Sequence, residues 1–260
     1  MKIVLKIGGA ALEDNGRVRA FARAVVTLAQ QDVDVAVIHG GGAALTRTLG
    51  ELGYESRFEN GLRVTDARTR DVAVMVLAGH SNKRVVAAID AAGVPAAGLC
   101  GSDLGLLRAV KKRTGTDLGF VGEVDAVDWR WIDLLWSAGA VPVIASIAPG
   151  DDGELYNINA DEVAAACAVA CHADALVFLT DVPGVRDQYG NVIPRLPASH
   201  IRDLSIAGVV SGGMIPKLDA CMRALDGRVS SVRILPAARV EALPLIADGS
   251  LHEGTEVVLS

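Results

Sequence analysis

The amino-acid sequence predicts an α/β fold built on a mainly parallel sheet. Short runs rich in β-branched residues alternate with longer Ala-, Leu- and Arg-rich segments of helical period, and this alternation is typical of crossover units on a parallel sheet. Two of the apolar runs, at residues 2–7 and 33–38, pass directly into glycine clusters. No Pro/Ser-rich linker or internal repeat divides the 260 residues, so we expect one continuous sheet.

Each predicted element follows from its own stretch of sequence. Apolar, β-branched runs predict strands at residues 2–7, 33–38, 94–99, 141–147, 174–180, 229–235 and 255–259. Apolar residues at helical spacing predict helices at 16–30, 43–53, 66–78, 81–92, 129–138, 160–172, 199–207, 213–226 and 239–248. The alternation over Phe120–Val124 predicts an antiparallel ribbon within 105–127, and the turn Tyr189–Asn191 predicts a second ribbon over Gly184–Ile193.

Composition and charge exclude several classes of protein. Lys and Arg number 25 against 31 Asp and Glu, so the net charge is −6 and no basic block marks a nucleic-acid surface. The longest uninterrupted apolar run, Val163–Cys171, is far shorter than a bilayer-spanning helix, and the N-terminus lacks the pattern of a signal peptide. We therefore expect a cytoplasmic protein with no nucleic-acid partner and no membrane segment.

The four cysteines do not predict a metal site. Cys100, Cys167, Cys171 and Cys221 lie among alanine and valine, which indicates reduced, buried thiols. Cys167 and Cys171 would share one side of a helix with His172, an arrangement that in principle binds a metal. The paired Cys-x-x-Cys spacing of such sites is missing, so we predict no metal ligands in the chain.

Glycine turns and two lysines point to an anion site. Gly8–Gly9 follows the first strand, Gly40–Gly42 follows the second, and Gly212–Gly213 forms a third cluster much later. Such turns bring backbone N–H groups and the positive end of a helix dipole close to an anion. Lys6 and Lys217 add full charges beside the first and third turns. Singly, each cluster is equally explained as a tight packing turn; together they indicate phosphoryl transfer.

The common nucleotide-binding fingerprints are absent from the sequence. Neither G-x-x-x-x-G-K-[ST] nor a G-x-G-x-x-G after a strand occurs. P-loop enzymes and dinucleotide-binding proteins are therefore excluded.

Polar residues near the ends of predicted elements are candidates for substrate contact. Arg63, within Asn60–Thr65, is either a solvated arginine or a bidentate clamp for a substrate carboxylate, a geometry that lysine cannot match. Asn159 and Asp161 suit the cap and the first turn of a helix, so capping alone explains both. Asn157 is left over, and we expect its amide at the carboxyl edge of the sheet.

A set of motifs spans nearly the whole chain in a characteristic order. The motifs are Lys6–Gly9, His39–Gly42, Asn60–Thr65, Asn82–Lys83, Gly119–Gly122, Asn157–Asp161, Thr180–Val185 and Gly212–Lys217. Their order and spacing resemble the acetylglutamate kinase family of the amino-acid kinase superfamily. The resemblance implies the three-layer αβα sandwich of the amino-acid kinase fold. It also implies an N-terminal lobe, residues 1–172, for acyl-amino-acid binding and dimerisation, and a C-terminal lobe, residues 173–260, for ATP binding.

The resemblance also implies roles for individual residues. The catalytic residues would be Lys6, Lys217, Asp161 and Gly9. The residues in contact with the acyl amino acid would be Gly41, Gly42, Arg63 and Asn157. The residues on the nucleotide side would be Asp181, Val182, Gly184, Val185, Arg186, Val209, Val210, Ser211, Gly212, Gly213 and Met214. In this assignment Lys6 and Lys217 flank the phosphoryl group in transfer, and Asp161 holds both lysines in place.

The implied reaction is ATP-dependent phosphorylation of the γ-carboxylate of N-acetyl-L-glutamate, a step of arginine biosynthesis. A carboxylate with an intrinsic pKa of about 4.3 is already ionised at neutral pH, so the reaction needs no catalytic base. Positioning and charge neutralisation remain, and lysines, glycine N–H groups and Mg²⁺ held mainly by ATP suit both tasks. Two close lysines repel each other, so Asp161 between them is expected on electrostatic grounds too.

Two other functions stay open. Kinases of carrier-protein-linked aminoadipate or glutamate usually have Tyr where Val64 stands, and an acidic carrier protein suits a chain of net charge −6 poorly. A non-catalytic amino-acid sensor on the same fold would not need to keep Lys6, Asp161 and Lys217.

The quaternary structure and its regulation are also expectations. We expect a homodimer, because residues 66–78 present an apolar face made of Ala73, Val74, Val76 and Leu77. Packing on the chain's own core would explain that face equally well. The first strand begins at residue 2, so we expect no arginine inhibition through the N-terminal helix that a regulated subgroup of the family carries.

Overall fold

The fold is built on a central eight-stranded sheet, which is mainly parallel as the sequence predicts. The computed structural model describes residues 1–59 and 61–259; Asn60 of the substrate motif and Ser260 of the C-terminal lobe lie outside the described residues. The strands are β1 (Lys2–Ile7), β2 (Asp34–His39), β3 (Phe58–Glu59), β4 (Leu62–Arg63), β5 (Ala96–Leu99), β6 (Leu107–Lys111), β7 (Val121–Val127), β8 (Val141–Ala145), β9 (Ile147–Pro149), β10 (Leu155–Ile158), β11 (Ala175–Thr180), β12 (Arg195–Pro197), β13 (Ser231–Pro236) and β14 (Thr255–Val258). All seven predicted strands are confirmed. The central sheet has the order β12-β14-β13-β11-β1-β2-β8-β5.

Helices cover both faces of this sheet. They are α1 (Asn15–Ala29), α2 (Gly42–Glu51), α3 (Ala67–Ala73), α4 (Asn82–Ala92), α5 (Arg130–Ser137), α6 (Ala160–Ala170), α7 (Ala198–Ile206) and α8 (Met214–Asp226). α1, α4 and a 3₁₀ segment, Ala237–Ile246, pack on one face, and α5, α6 and α8 pack on the other. The expected α-helix at 239–248 is wrong, because Pro244 within the 3₁₀ segment has no N–H to donate. The three-layer αβα sandwich is confirmed.

The two central strands bring the glycine turns to one edge. β1 pairs in parallel with β2 and with β11, so Lys6 lies beside Phe178 and Ile38. The interiors of β1 and β2 are buried on both faces, which is why both strands are nearly continuous apolar runs. Parallel strands that end together place their following turns together, at the edge where α/β sheets bind ligands.

Smaller ribbons lie outside the central sheet. β6 pairs antiparallel with β7, which confirms the ribbon expected within 105–127, and this pair continues through β10 to β9. The second expected ribbon is a single antiparallel bridge between Arg186 and Val192. β3 and β4 form a short antiparallel pair that carries Arg63.

The two helices expected at 66–78 and 81–92 form one continuous helical run, Ala67–Ala92. A π-helical segment, Val74–Ser81, joins α3 to α4 and absorbs Gly79 without a break. By length and composition this run is apolar enough to cross a bilayer, since its most apolar 18-residue window has a mean hydropathy of 1.2. Core helices pass the same test, however, and 44% of that window is buried inside the protein. The expectation of no membrane partner therefore stays a prediction.

The apolar face offered as a dimer surface packs inside the chain itself. Ala73, Val76 and Leu77 are buried against α2 and β9, and Val74 is half-buried beside them. The prediction of an apolar face is confirmed, but this face packs on the chain's own core, so it does not support a dimer. Met75, on the other side of the segment, is 62% exposed. The homodimer stays a prediction that needs other support.

Candidate active site

Two lysines from distant parts of the chain meet on one carboxylate. The Asp161 side chain lies in the first turn of α6. Its carboxylate forms an ion pair with Lys6 Nζ, which is 2.8 Å away and comes from near the end of β1. It also accepts Lys217 Nζ, from the first turns of α8, at 3.0 Å on both oxygens. Asn159 Oδ1 caps α6 by accepting the Asp161 N–H at 2.8 Å, as the sequence predicted. The expected arrangement, with Asp161 between the two lysines, is present.

Burial and charge oppose each other in this cluster. Burial alone would raise the pKa of Asp161, but Lys6 and Lys217 outweigh it and hold that pKa below its ordinary value. Burial and the Lys6 charge lower the pKa of Lys217, while the Asp161 carboxylate partly restores it. Lys217 Nζ also lies 5.1 Å from the centre of the Phe178 ring. The two ammonium groups of the cluster therefore share the Asp161 carboxylate as a counter-ion.

The first glycine turn has no room for side chains. Gly9 has a φ of +61°, and a Cβ there would lie 2.3 Å from Asp181 Oδ2. A Cβ at Gly8 would lie 3.1 Å from Lys6 Nζ. The Gly40 N–H donates to Ile7 O at 3.0 Å, which ties the second turn to the end of β1. Backbone at this edge can therefore approach a ligand closely.

A cleft of about 450 Å³ opens over the lysine pair. Its lining consists of Lys6, Gly8, Gly9, Asp161, Leu179, Thr180, Asp181, Val182, Ser211, Gly213, Met214 and Lys217. All four predicted catalytic residues are among them. Five of the eleven predicted nucleotide residues also line the cleft: Asp181, Val182, Ser211, Gly213 and Met214. The cleft thus joins the lysines to two of the predicted nucleotide loops.

The remaining predicted nucleotide residues lie on the same two loops, outside this lining; they are Gly184, Val185, Arg186, Val209, Val210 and Gly212. The side chains of Val185 and Val210 are buried in the core, at 1% and 5% exposure. The Val185 N–H already donates to Thr255 Oγ1 at 2.9 Å. The side chains of these two valines shape the loops from below rather than facing the cleft.

Arg63 is a buried guanidinium surrounded by neutral groups. Its Nη1 donates to Ser56 Oγ at 2.5 Å, and its Nη2 donates to Thr46 Oγ1 at 2.7 Å and to Gly42 O at 3.2 Å. The Phe58 ring lies 4.6 Å from its central carbon. Burial lowers the pKa of Arg63. Arg63 is only 8% exposed, so the solvated alternative is wrong. In residues 1–59 and 61–259 its hydrogen-bond partners are neutral groups, and no carboxylate there forms an ion pair with it.

The other predicted substrate residues surround the same region. Gly42 begins α2 and accepts the Arg63 guanidinium, while a Cβ at Gly41 would lie 2.6 Å from Leu77. Asn157 Nδ2 lies 3.5 Å from the hydroxyl of Thr65, two residues beyond Arg63. Sequence reasoning missed Ser56 and Thr46, which hold Arg63, because neither lies in a motif; the signal available was only their position near Arg63 and Gly42.

No cluster of three or more His, Cys, Asp or Glu side chains in the described part of the chain is placed to bind a metal. Asp161 and Asp181 both line the cleft, and Asp161 is occupied by two lysines. The residues present therefore fit a cation that is held by nucleotide phosphates rather than by a protein cage.

Comparisons with known proteins agree with this geometry. The sequence profile of the amino acid kinase family matches residues 1–236. An acetylglutamate kinase from Koribacter versatilis is 60% identical over 99% of both chains. An acetylglutamate kinase from Acidobacterium capsulatum is 56% identical over the full length of both.

Solved structures agree as well. A Streptococcus mutans protein matches with a TM-score of 0.86 and 26% identity over 100% of this chain and 99% of that one. The N-acetylglutamate synthase from Neisseria gonorrhoeae, complexed with coenzyme A and N-acetyl-glutamate, matches with a TM-score of 0.85 and 26% identity over 99% of this chain and 59% of that longer chain. The profile match and the two close relatives show that this chain belongs to the amino acid kinase family.

Proposed function

We propose that the protein transfers the γ-phosphoryl group of ATP to the γ-carboxylate of N-acetyl-L-glutamate, as the step of arginine biosynthesis that its named relatives indicate. The observation that carries the proposal is the Lys6–Asp161–Lys217 cluster at the floor of a cleft between glycine turns. A cluster with two cations and one anion keeps a net positive charge, which suits an incoming phosphate.

The chemistry requires positioning and charge neutralisation rather than proton removal. The substrate carboxylate is ionised at neutral pH and attacks the γ-phosphorus directly, while the bond to the β-phosphate oxygen of ATP breaks and ADP leaves. Lys6 and Lys217 each keep donors beyond those used by Asp161, because an ammonium group has three. Backbone N–H groups at Gly9 and Gly41 would share the negative charge of the moving group.

The two substrates are assigned to different parts of the chain. We propose that residues 1–172 bind the acyl amino acid, with Arg63 gripping a carboxylate beside Gly41, Gly42 and Asn157. Residues 173–260 would bind ATP through the loops Asp181–Arg186 and Val209–Met214. Mg²⁺ would be held mainly by the ATP phosphates and would neutralise their charge.

The two rival functions differ in their demands on these residues. A carrier-linked substrate would need a docking surface for an acidic protein, whereas the net charge of this chain is −6. A non-catalytic sensor would have no use for a buried Lys217 beside a half-buried Lys6, since burying a charged group is unfavourable without a function. Both observations favour the kinase with a free acetylated amino acid.

The test is ADP release measured with N-acetyl-L-glutamate, free glutamate, aspartate and carbamate side by side. Hydroxylamine in the same assay traps an acyl phosphate as a hydroxamate. We expect both ADP and hydroxamate to form when N-acetyl-L-glutamate is the acceptor, and neither to form with the other three acceptors. Equal or greater activity with another acceptor, or ADP release without hydroxamate, would contradict the proposal.

We also propose a cytoplasmic location and a homodimer. Cys100, Cys167, Cys171 and Cys221 are all free thiols, which suits a reducing compartment. Light scattering tests the dimer: we expect twice the mass of the 27.0 kDa chain, and a monomer or a hexamer would contradict it.

A further inference from the structure

His39, the last residue of β2, is fully buried and has no part in the proposed reaction. It lies directly before the second glycine turn and does not line the cleft. Its Nδ1 is 2.8 Å from Gly40 O, and its Nε2 is 3.1 Å from Asn82 Nδ2. A buried imidazole with a polar partner on each nitrogen is held in one orientation.

The neighbours of Asn82 determine which nitrogen of His39 carries the proton. Asn82 begins α4 and is fully buried, and its Nδ2 also lies 2.9 Å from the backbone oxygen of Val143. A carbonyl oxygen only accepts, so the amide NH₂ must face it. The second amide hydrogen faces His39 Nε2 at 3.1 Å and Leu99 O at 3.4 Å, which fits Nε2 as an unprotonated acceptor. Gly40 O, 2.8 Å from Nδ1, also only accepts. The proton therefore sits on Nδ1, which donates to Gly40 O.

Gly98 leaves the space that the Asn82 amide occupies. A Cβ at Gly98, on the neighbouring β5, would lie 2.0 Å from Asn82 Oδ1, so only glycine leaves room for the amide. Lys83 Nζ donates to Gly98 O at 2.9 Å and holds that strand in place. Burial, together with the charges of Lys6 and Lys83, lowers the pKa of His39 to about 4, although the hydrogen bond to Gly40 O opposes this shift. The ring is therefore neutral at neutral pH.

This contact fixes one backbone donor of the second glycine turn. The Gly40–Gly41 peptide is planar and trans, so the Gly41 N–H points opposite to the Gly40 carbonyl and away from His39. The Gly40 N–H is fixed as well, by its bond to Ile7 O at 3.0 Å. Across the described residues, no hydrogen bond from the Gly41 N–H is found. That donor is left available for a ligand.

We propose that His39 is a positioning residue, which Asn82 locks as the Nδ1–H tautomer so that the Gly41 N–H is held towards the phosphoryl group in transfer. The catalytic part of this inference rests on the proposed function, whereas the tautomer does not. A donor that is fixed before the reaction needs no reorganisation in the transition state. The effect of losing His39 should therefore appear in kcat more than in KM.

The first test is the nitrogen NMR spectrum of the imidazoles in the full-length protein without substrates. The chain has five histidines, and His39→Asn identifies the His39 signals by their loss. We expect a protonated Nδ1 and an unprotonated Nε2 that do not titrate between pH 8 and about pH 5. A protonated Nε2, or titration near the ordinary value of 6.5, would overturn the inference whatever the substrate proves to be.

The second test is steady-state kinetics of His39→Asn and His39→Leu. The asparagine amide nitrogen replaces Nδ1 and keeps the donor to Gly40 O, whereas leucine keeps neither polar contact. We expect kcat of His39→Leu to fall about 10- to 100-fold with little change in KM, and His39→Asn to recover most of that loss. The exposed His252→Asn is the matched control, with wild-type kcat expected. Equal losses in the two His39 variants, or none in leucine, would overturn the role, and the NMR test still decides if leucine does not fold.

Discussion

Lys217 and Arg63 are two buried cations in very different surroundings. Lys217 is 6% exposed and contacts the carboxylate of Asp161 with 3.0 Å to each oxygen. Arg63 is 8% exposed and donates only to two hydroxyl groups and a backbone carbonyl. Burial lowers the pKa of both groups, but only Lys217 has a counter-ion within the part of the chain that the structure describes.

The charge of Lys217 is therefore paired with a carboxylate of the protein, whereas the charge of Arg63 is paired with no carboxylate of the described residues. The counter-ion of Lys217 is built in, so the lysine keeps its position whether or not substrate is present. The guanidinium of Arg63 is desolvated without an anion, which is unfavourable until a ligand supplies one. Removing each residue should therefore affect turnover, stability and substrate binding in different proportions.

The largest expected effect is on turnover when Lys217 is removed. Lys217→Ala should lower kcat about 10³-fold, because a full charge at the transferring group is lost, while the dissociation constants of both substrates change little. Lys111→Ala, on an exposed ion pair, is the control and should keep wild-type turnover. Unchanged kcat in Lys217→Ala would remove that lysine from the reaction.

The next effect is on folding stability when the shared carboxylate is neutralised. Asp161→Asn leaves Lys6 and Lys217 buried without a counter-ion, and should lower the free energy of unfolding by about 3–5 kcal/mol at pH 7. Urea unfolding measures it, with Asp133→Asn, which loses a half-exposed ion pair with Lys2, as the control. A variant as stable as the wild type would mean that the cluster does not need its anion.

Arg63 should show the opposite pattern. Arg63→Lys loses the planar fork, so KM for N-acetyl-L-glutamate should rise about 10- to 100-fold while kcat changes less. The midpoint temperature of thermal unfolding should be unchanged or slightly higher, because no internal ion pair is broken. Arg47→Lys, on the exposed ion pair with Glu13, should alter neither quantity. A stability loss with unchanged KM would make Arg63 a structural residue.

Lowering the pH should change the contribution of Asp161 to folding stability but not that of Arg63. Because the pKa of Asp161 is lower than 3.8 in the folded protein, its carboxylate contributes stability above pH 3.8 and loses that contribution as pH falls through the folded value. The stability difference between wild type and Asp161→Asn should therefore shrink below about pH 3.8. The difference between wild type and Arg63→Lys should stay constant there; a parallel change in both would contradict this assignment.

The sequence was sufficient for the sheet edge and for the charge cluster. Residues 2–7 and 33–38 are short, mainly apolar, β-branched runs that favour strands, and their glycines mark where each strand ends. The placement of Asp161 between two lysines came from the family resemblance, supported by the repulsion of two close ammonium groups, and the observed distances show that arrangement. Local pattern carried the first prediction and the resemblance carried the second.

Contacts between distant segments could not be predicted where the resemblance implied no role for the residues. His39 and Asn82 are 43 positions apart, and nothing in either stretch shows that they meet. Apolar periodicity indicates that Val76 and Leu77 are buried but not which surface buries them, so the sequence left open both a dimer interface and the chain's own core, and the structure shows the core.

The most direct measurement of the central claim is a crystal structure with a non-hydrolysable ATP analogue, Mg²⁺ and N-acetyl-L-glutamate bound together. Lys6 Nζ and Lys217 Nζ should each lie within about 3 Å of a γ-phosphate oxygen while remaining on Asp161. Arg63 should contact a substrate carboxylate in the same structure. A γ-phosphate bound away from both lysines, with the cluster unchanged beside it, would contradict the account.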